Sequence, residues 1–352
     1  MPELVFEGIT ISAMAGAVPK NKIENRKFTK YFDKQTVSNI VDKTGVEERR
    51  ISDVNTTSSD LCFAAAEQLI LDNEIKKSEI DVLIFVSQTP DYRMPATSVI
   101  LQGRLGLSKS TAAFDVSLGC SGFIYALSTA YAYAQQPGIK KVLILDGETR
   151  SKVYHPKDRK TGFIFGDAAV AAIIERNTNV GKSIFSLNSD GTLCDLIKID
   201  AGGYRNPSSS NTIKEKVVDE YGNIRTDEHG HMKGGDVFNF VLREVPKNIK
   251  HTLELSETKL NSLDYYIFHQ ANKFMNDYLA KKLKLDKSKV PSTISKYGNT
   301  SSVSIPITIV DQLKYKLRGK KKLFLCGFGV GMSWATAIVK TNNLRISEIV
   351  EV

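Results

Sequence analysis

Apolar residues along this chain follow two alternating rhythms. Short runs rich in β-branched and aliphatic residues occur at 82–86, 113–116, 142–146, 168–174, 265–268, 323–328 and 335–339, and they predict strands. Between them, apolar positions recurring every three or four residues predict helices over 60–71, 121–134 and 301–317. Pro306 comes early enough in the last of these to be tolerated near a first turn. Strands alternating with helices in this way predict an α/β protein.

Two segments are alike. KVLILDGETRS (141–151) and KLFLCGFGVG (322–331) each combine a basic residue, a buried strand and a sharp glycine turn, which hints at a duplicated half. The 352 residues suit either two average domains or one larger unit of two similar halves around a shared core. Residues 201–233 break the pattern: they are rich in Gly, Asn, Ser, Asp and charge, and read as a long surface excursion between halves, the kind of segment enzymes use as a lid or substrate-binding loop.

Composition narrows the class. With 41% hydrophobic and 25% charged residues the chain is an ordinary globular protein. It holds no apolar stretch of about 18 residues and no basic-then-apolar leader, so the expectation is a cytoplasmic protein without a membrane segment. The four cysteines, Cys62, Cys120, Cys194 and Cys326, are far apart, which predicts free thiols and neither a zinc site nor a redox dithiol. A net charge of +9 favours acidic partners. Lysines gather at 281–289 and 314–322 without interleaved aromatics, which argues against a nucleic-acid platform and is equally compatible with a solvated surface.

The chemistry concentrates in four places. In AAFDVSLGCSGFIYALSTAYAYA (112–134) a strand and a tight turn at Gly119 lead into a helix that begins at or near Cys120. The unsatisfied N–H groups and partial positive charge of a helix amino terminus shift a thiol toward thiolate, although a cysteine there also serves as a small packing residue. Packing is the better reading for the other three cysteines. Of the five histidines, His155, His229, His231 and His251 lie in polar, exposable surroundings, whereas His269 ends the apolar run YYIFH, where open α/β sheets place their sites. Asn299, in KYGNTSS, precedes a serine-rich helix start and is either a site residue or an amino cap. Finally, CGFGVGMSW (326–334) sets glycines directly after a strand, which lets backbone N–H groups approach a ligand.

Taken in order along the chain, TGVEERR, AFDVSLGCSGFIYALS, FGDAAVAA, SDGT, HQAN, GNTSSVSIP and GFGVGMSW resemble the landmarks of the ketoacyl-acyl-carrier-protein synthase III family of the thiolase superfamily. The resemblance implies a five-layered αβαβα fold of two duplicated halves, 1–175 with the nucleophile and 176–352 with the other site residues, assembled as a homodimer. It implies that Cys120 carries the acyl group, that His269 and Asn299 bind the thioester carbonyl of the second substrate, and that the backbone N–H groups of Cys120 and Val330 hold the oxyanion. No metal and no cofactor is implied beyond coenzyme A or carrier-protein phosphopantetheine as substrate handles. The reaction implied is a decarboxylative condensation of an acyl thioester with malonyl-carrier protein in fatty acid or related acyl-chain biosynthesis. Ester or amide formation on a glycan or secondary metabolite, and a non-catalytic role in a synthase complex, are the competing functions.

The chain departs from the family pattern on the donor side. Where that pattern has a tryptophan and an arginine before TG, a second arginine beside the adenine, and an arginine after HQAN, this chain aligns Asn39 and Lys43, Lys152, and Phe274. Lysine lacks the planar stacking and bidentate pairing of arginine. The expectation is weak coenzyme A binding and delivery of the acyl group by an acidic acyl-carrier protein, with Lys281 and Lys282 on the docking helix. The loop 89–98 is expected to shape acyl length across the dimer.

Overall fold

The computed structural model describes residues 3–352. Two sheets dominate it. The first runs Arg345–Ile346, Ile9–Val18, Asp167–Arg176, Lys141–Thr149, Ile80–Val86, Ala112–Val116, and the second runs Glu3–Phe6, Ser183–Ser189, Ser333–Asn342, Lys320–Gly329, Tyr265–Phe268. From the second strand onward each sheet steps antiparallel, antiparallel, parallel. The halves therefore repeat one topology, and the two similar sequence segments supply its equivalent strands, Lys141–Thr149 and Lys320–Gly329.

The helices follow from what each must cover. Gly122–Ala134 and Ser304–Leu313 lie between the sheets: Phe123, Leu127, Ile305 and Ile309 share one core with Ile144 of the first sheet and Leu325 of the second. With a sheet on either side, the first of these helices has no need of a polar face, which explains its nearly unbroken apolar sequence. Ser58–Asp72, opened by a capping box between Thr57 and Asp60, and Thr97–Arg104 cover the outer face of the first sheet. Gly234–Leu255 and Lys273–Lys282 cover the outer face of the second. The order is αβαβα.

Some boundaries differ from the sequence pattern. The helix expected from residue 301 begins as a 3-10 turn, Ser301–Val303, and its α-helical part stops at Leu313. Pro306 is its third residue, where no intrahelical donor is lost. A division at residue 175 falls inside the strand Asp167–Arg176, and both chain ends cross it: Glu3–Phe6 joins the second sheet, while Arg345–Ile346 and Val350–Glu351 pair with the first. The excursion at 201–233 is ordered by two short ladders, Lys216–Val217 with Ile224–Arg225 and Ile197–Lys198 with His231–Met232. It is seated on the segment after the strand Lys141–Thr149: Gly230 N–H donates to Val153 O at 2.9 Å, and Lys160 and Asp158 pair with Asp219 and Arg225 at 2.7 and 3.3 Å. Among the described residues no helix is long and apolar enough to cross a membrane.

Candidate active site

The strand Ala112–Val116 ends in a turn that delivers Cys120 to the start of the central helix, where Gly122 N–H closes onto Gly119 O. The thiol is 9% exposed and opens on a pocket lined by His269, Asn299, Phe328, Gly329 and Val330, among others. The structure thus brings the four sequence-marked segments to one place. Cys62 and Cys326 are buried elsewhere, with burial pushing both thiols up, and Cys194 is exposed.

Glycines set the approach of the backbone. A Cβ on Gly329 would stand 2.4 Å from Cys120 Sγ, and one on Gly327 would stand 2.8 Å from Ser121 Cα. Both distances are impossible, so only glycine lets this strand end close over Cys120. Val330 N–H thereby reaches the sulfur as a hydrogen-bond donor. The turn is pinned by Ser333, whose hydroxyl donates to Val330 O at 2.8 Å and sits 2.8 Å from Ser121 Oγ.

His269 follows the strand Tyr265–Phe268, its N–H bonded to Cys326 O at 2.8 Å, and it is 1% exposed. Its Nδ1 lies 2.7 Å from Ser304 Oγ, at the start of the second central helix, and that oxygen also accepts Gln270 N–H at 3.3 Å. The Ser304 contact takes up Nδ1 and leaves Nε2 as the ring nitrogen that faces the pocket. Asn299 is fixed on both sides: its N–H donates to Ile164 O at 2.8 Å and its Oδ1 accepts Ser301 N–H at 2.9 Å. This is an Asx turn ahead of the 3-10 start and not an amino cap, since the capping position is Thr300, whose side chain makes no cap hydrogen bond. Because Oδ1 is occupied, the amide Nδ2 is turned the other way, with Ala271 O no nearer than 3.5 Å.

Electrostatics single out Cys120. Burial pushes its thiol up, but the charge and hydrogen bond of His269, the Val330 N–H and the Arg150 guanidinium together outweigh it and bring it down to about 7. Thiol alkylation therefore rises about tenfold per pH unit below 7 and levels off above it. Replacing His269 with alanine leaves burial dominant and moves the midpoint upward. A midpoint near an ordinary thiol's, about 8.5, that the replacement does not move would show that the pair is not coupled.

Sequence patterns missed part of the pocket. Arg150, Tyr154 and Phe165 line it, Tyr154 and Phe165 stacked at 3.9 Å between ring centroids, and Ile197 and Met232 reach it from the two ends of the excursion. Arg150 directly follows GET in a recognised strand, among Asp146, Glu148 and Lys152, so nothing in the local pattern marks it. His155, expected to be exposed, is buried under the excursion against Glu215 and His229, because that segment folds down onto it.

The donor-side residues divide. Lys43 and Phe274 line one groove beside Asn272, at the pocket's rim, and Phe274 is exposed against Phe238. Lys281 and Lys282 are exposed at the far end of the helix Lys273–Lys282. Lys152 stands apart, its ammonium donating to Val54 O and Thr56 O at 3.2 and 2.6 Å, and Asn39 accepts from Gln35 along its own helix.

Residues 114–191 match the model of 3-oxoacyl-[acyl-carrier-protein] synthase III, and residues 253–341 match that of its C-terminal part. A β-ketoacyl-[acyl-carrier-protein] synthase III of Streptococcus pneumoniae is 34% identical over 94% of this chain and 98% of its own length. The crystal structure of a 3-oxoacyl-(acyl-carrier protein) synthase from Burkholderia xenovorans superposes with a TM-score of 0.93 at 38% identity, covering 100% of this chain and 99% of that one. That of the synthase III from Thermus thermophilus gives 0.82 at 28% identity, covering 95% and 99%. The chain belongs to the β-ketoacyl-[acyl-carrier-protein] synthase III family.

Proposed function

We propose that the protein condenses an acyl thioester with malonyl-acyl-carrier protein, with loss of CO₂, to give a 3-oxoacyl-carrier protein. The observation that supports this most directly is the convergence of Cys120 Sγ, Val330 N–H, His269 and the Asn299 amide on one buried pocket. Cys120 Sγ forms a bond to the acyl carbonyl carbon, and the departing carrier sulfur takes a proton. The malonyl thioester then places its carbonyl oxygen between His269 Nε2–H and Asn299 Nδ2–H, two donors that lower the barrier to the enolate formed as CO₂ leaves. The carbanion attacks the acyl carbon, the N–H groups of Cys120 and Val330 hold the tetrahedral oxyanion, and the Cys120 thiolate is released. Release of CO₂ on mixing acylated protein with malonyl-carrier protein tests this reading. Transfer of the acyl group to an alcohol or amine without CO₂ would overturn it.

The donor in this reading is an acyl-carrier protein. At the rim, Lys43 and the exposed Phe274 offer apolar surface and one point charge in place of a stacking arginine pair, and Lys152 is already engaged elsewhere. Lys281 and Lys282 supply positive charge for an acidic carrier. Changing both to glutamate slows acylation from acyl-carrier protein at least tenfold at low salt and leaves acylation from acyl-pantetheine unchanged, as read by intact mass. An unchanged carrier-dependent rate would exclude this docking site.

The protein acts as a homodimer in this reading. The strand Ala112–Val116, which leads to Cys120, is the outermost strand of its sheet, with Phe114 and Val116 only partly covered, and Met94 in the neighbouring loop is 82% exposed. An uncovered apolar edge invites pairing with a second copy. Light scattering on the eluted protein checks for twice the mass of one chain.

A further inference from the structure

We propose that Arg150 makes the pocket selective for a short acyl group ending in a carboxylate. The inference rests on Cys120 being acylated, as above. Arg150 directly follows the strand Lys141–Thr149, lines the same pocket as Cys120, and is 6% exposed. A guanidinium so placed is costly unless each donor and the charge itself are met. Only part of that requirement is fulfilled from within the chain. Nη2 donates to Tyr154 Oη at 2.9 Å, and Nη1 approaches Gln88 Oε1 at 3.5 Å, while the buried Nε–H has no partner among the described residues.

The charge is met only through space, without a direct ion pair. The neighbouring carboxylate, Glu148, spends its oxygens on Gln88 N–H and Thr89 Oγ1, at 3.2 and 2.8 Å, and forms no ion pair with the guanidinium among the described residues. The guanidinium is held in place by the stacked rings of Tyr154 and Phe165, whose centroids lie 5.3 and 5.7 Å from its carbon, so it cannot swing out to water. Before acylation Glu148 and the Cys120 thiolate together offset the charge from a distance. Once the sulfur is a thioester the thiolate's share of that offset is gone, and an alkyl chain in the pocket would set hydrocarbon against a buried cation whose Nε–H is unpaired among the described residues. A carboxylate on the acyl group restores the balance, pairs with the free edge of the fork, and accepts the Tyr154 hydroxyl proton. In the transfer itself Cys120 Sγ gains the bond to the thioester carbonyl carbon, the donor sulfur leaves with a proton, and the distal carboxylate is untouched.

The test uses the full chain and two four-carbon donors, succinyl-pantetheine and butyryl-pantetheine, at matched concentration, with Cys120 acylation followed by intact mass. The expected result is uptake of the succinyl group at least tenfold faster, with Arg150→Leu reversing the order: succinyl transfer falls about a hundredfold and butyryl transfer only a few-fold. Arg150→Gln, which keeps polarity without charge, loses the succinyl preference as well. A natural protein that prefers butyryl overturns the proposal and leaves the condensing function standing. Equal loss of both donors in Arg150→Leu, with the alkylation midpoint of Cys120 moved upward, also overturns it and assigns Arg150 to the thiolate alone. No uptake from either donor or from acyl-carrier protein defeats both readings. Because the preference is measured in the unaltered protein, poor folding of a variant does not shield the proposal.

Discussion

Cys120→Ala protein takes up no acyl group, yet it still releases CO₂ from malonyl-carrier protein, whereas Asn299→Ala protein is acylated normally and loses the release of CO₂ by two to three orders of magnitude. The split follows from geometry. In the proposed reaction Cys120 forms the covalent bond but contributes nothing to holding the malonyl carbonyl, a task left to His269 Nε2 and Asn299 Nδ2 on two other segments. Removing one preorganised donor to a developing oxyanion costs about 3–4 kcal/mol, which is the expected loss. The groups that lower the sulfur are His269, Val330 and Arg150, and not Asn299, so the thiolate survives its removal. His269→Ala behaves differently from both. It loses the donor and the thiolate's charge partner together, so acylation and CO₂ release fall in the same variant. Radiolabelled CO₂ release and intact mass, run on all three variants, read the pattern. A Cys120→Ala protein inert in both assays, with its fold intact, would mean that the sulfur takes part in decarboxylation and that two separate donor sets are the wrong description.

Particular residues show why the site was partly legible in the sequence. Cys120, His269 and Asn299 could be picked out because each sits at a strand end or helix start, and secondary-structure transitions are written locally, in a glycine turn or a change of period. The same holds for the repeat: 141–151 and 322–331 resemble each other because the two strands occupy equivalent places in duplicated sheets, flanked by the same kind of close turn. Arg150 could not be found this way. Its neighbours Tyr154, Phe165 and Gln88 come from the segment after a 3-10 turn, a loop and a different strand end, and a charged residue after a strand is normally solvated. Ser304 was hidden for a similar reason. In the sequence it is one serine in a helix start, and only the fold sets it against the Nδ1 of a histidine 35 residues earlier. The crossing of the chain ends and the folding of 201–233 onto His155 are long-range events with no local signature.

Gly329→Ala abolishes acylation by at least a hundredfold although the added group is one methyl. The new Cβ would stand 2.4 Å from Cys120 Sγ and 2.7 Å from its Cβ, and neither atom can withdraw, because Cys120 is fixed between a tight turn and the first turn of a buried helix. Gly327, two residues earlier, is packed against Ser121 Cα and Cys120 O in the same way, so the strand end cannot slide along the helix to make room. The relief available is for the 329–330 peptide to move outward. That carries Val330 N–H away from the sulfur, losing a donor worth about 3 kcal/mol to the oxyanion and removing one of the groups that lower the thiol. Overpacking of this kind costs about 1–3 kcal/mol of stability, so the variant folds with a lowered melting temperature and can be assayed. Its acylation midpoint moves to higher pH while CO₂ release from malonyl-carrier protein, which depends on His269 and Asn299, is reduced far less. The same alanine at Gly191, where a Cβ meets nothing within 4 Å, leaves both activities intact and serves as the control. Near-normal acylation in Gly329→Ala, with the melting temperature unchanged, would show that the backbone does not press on the sulfur and that the Val330 N–H is not the oxyanion donor.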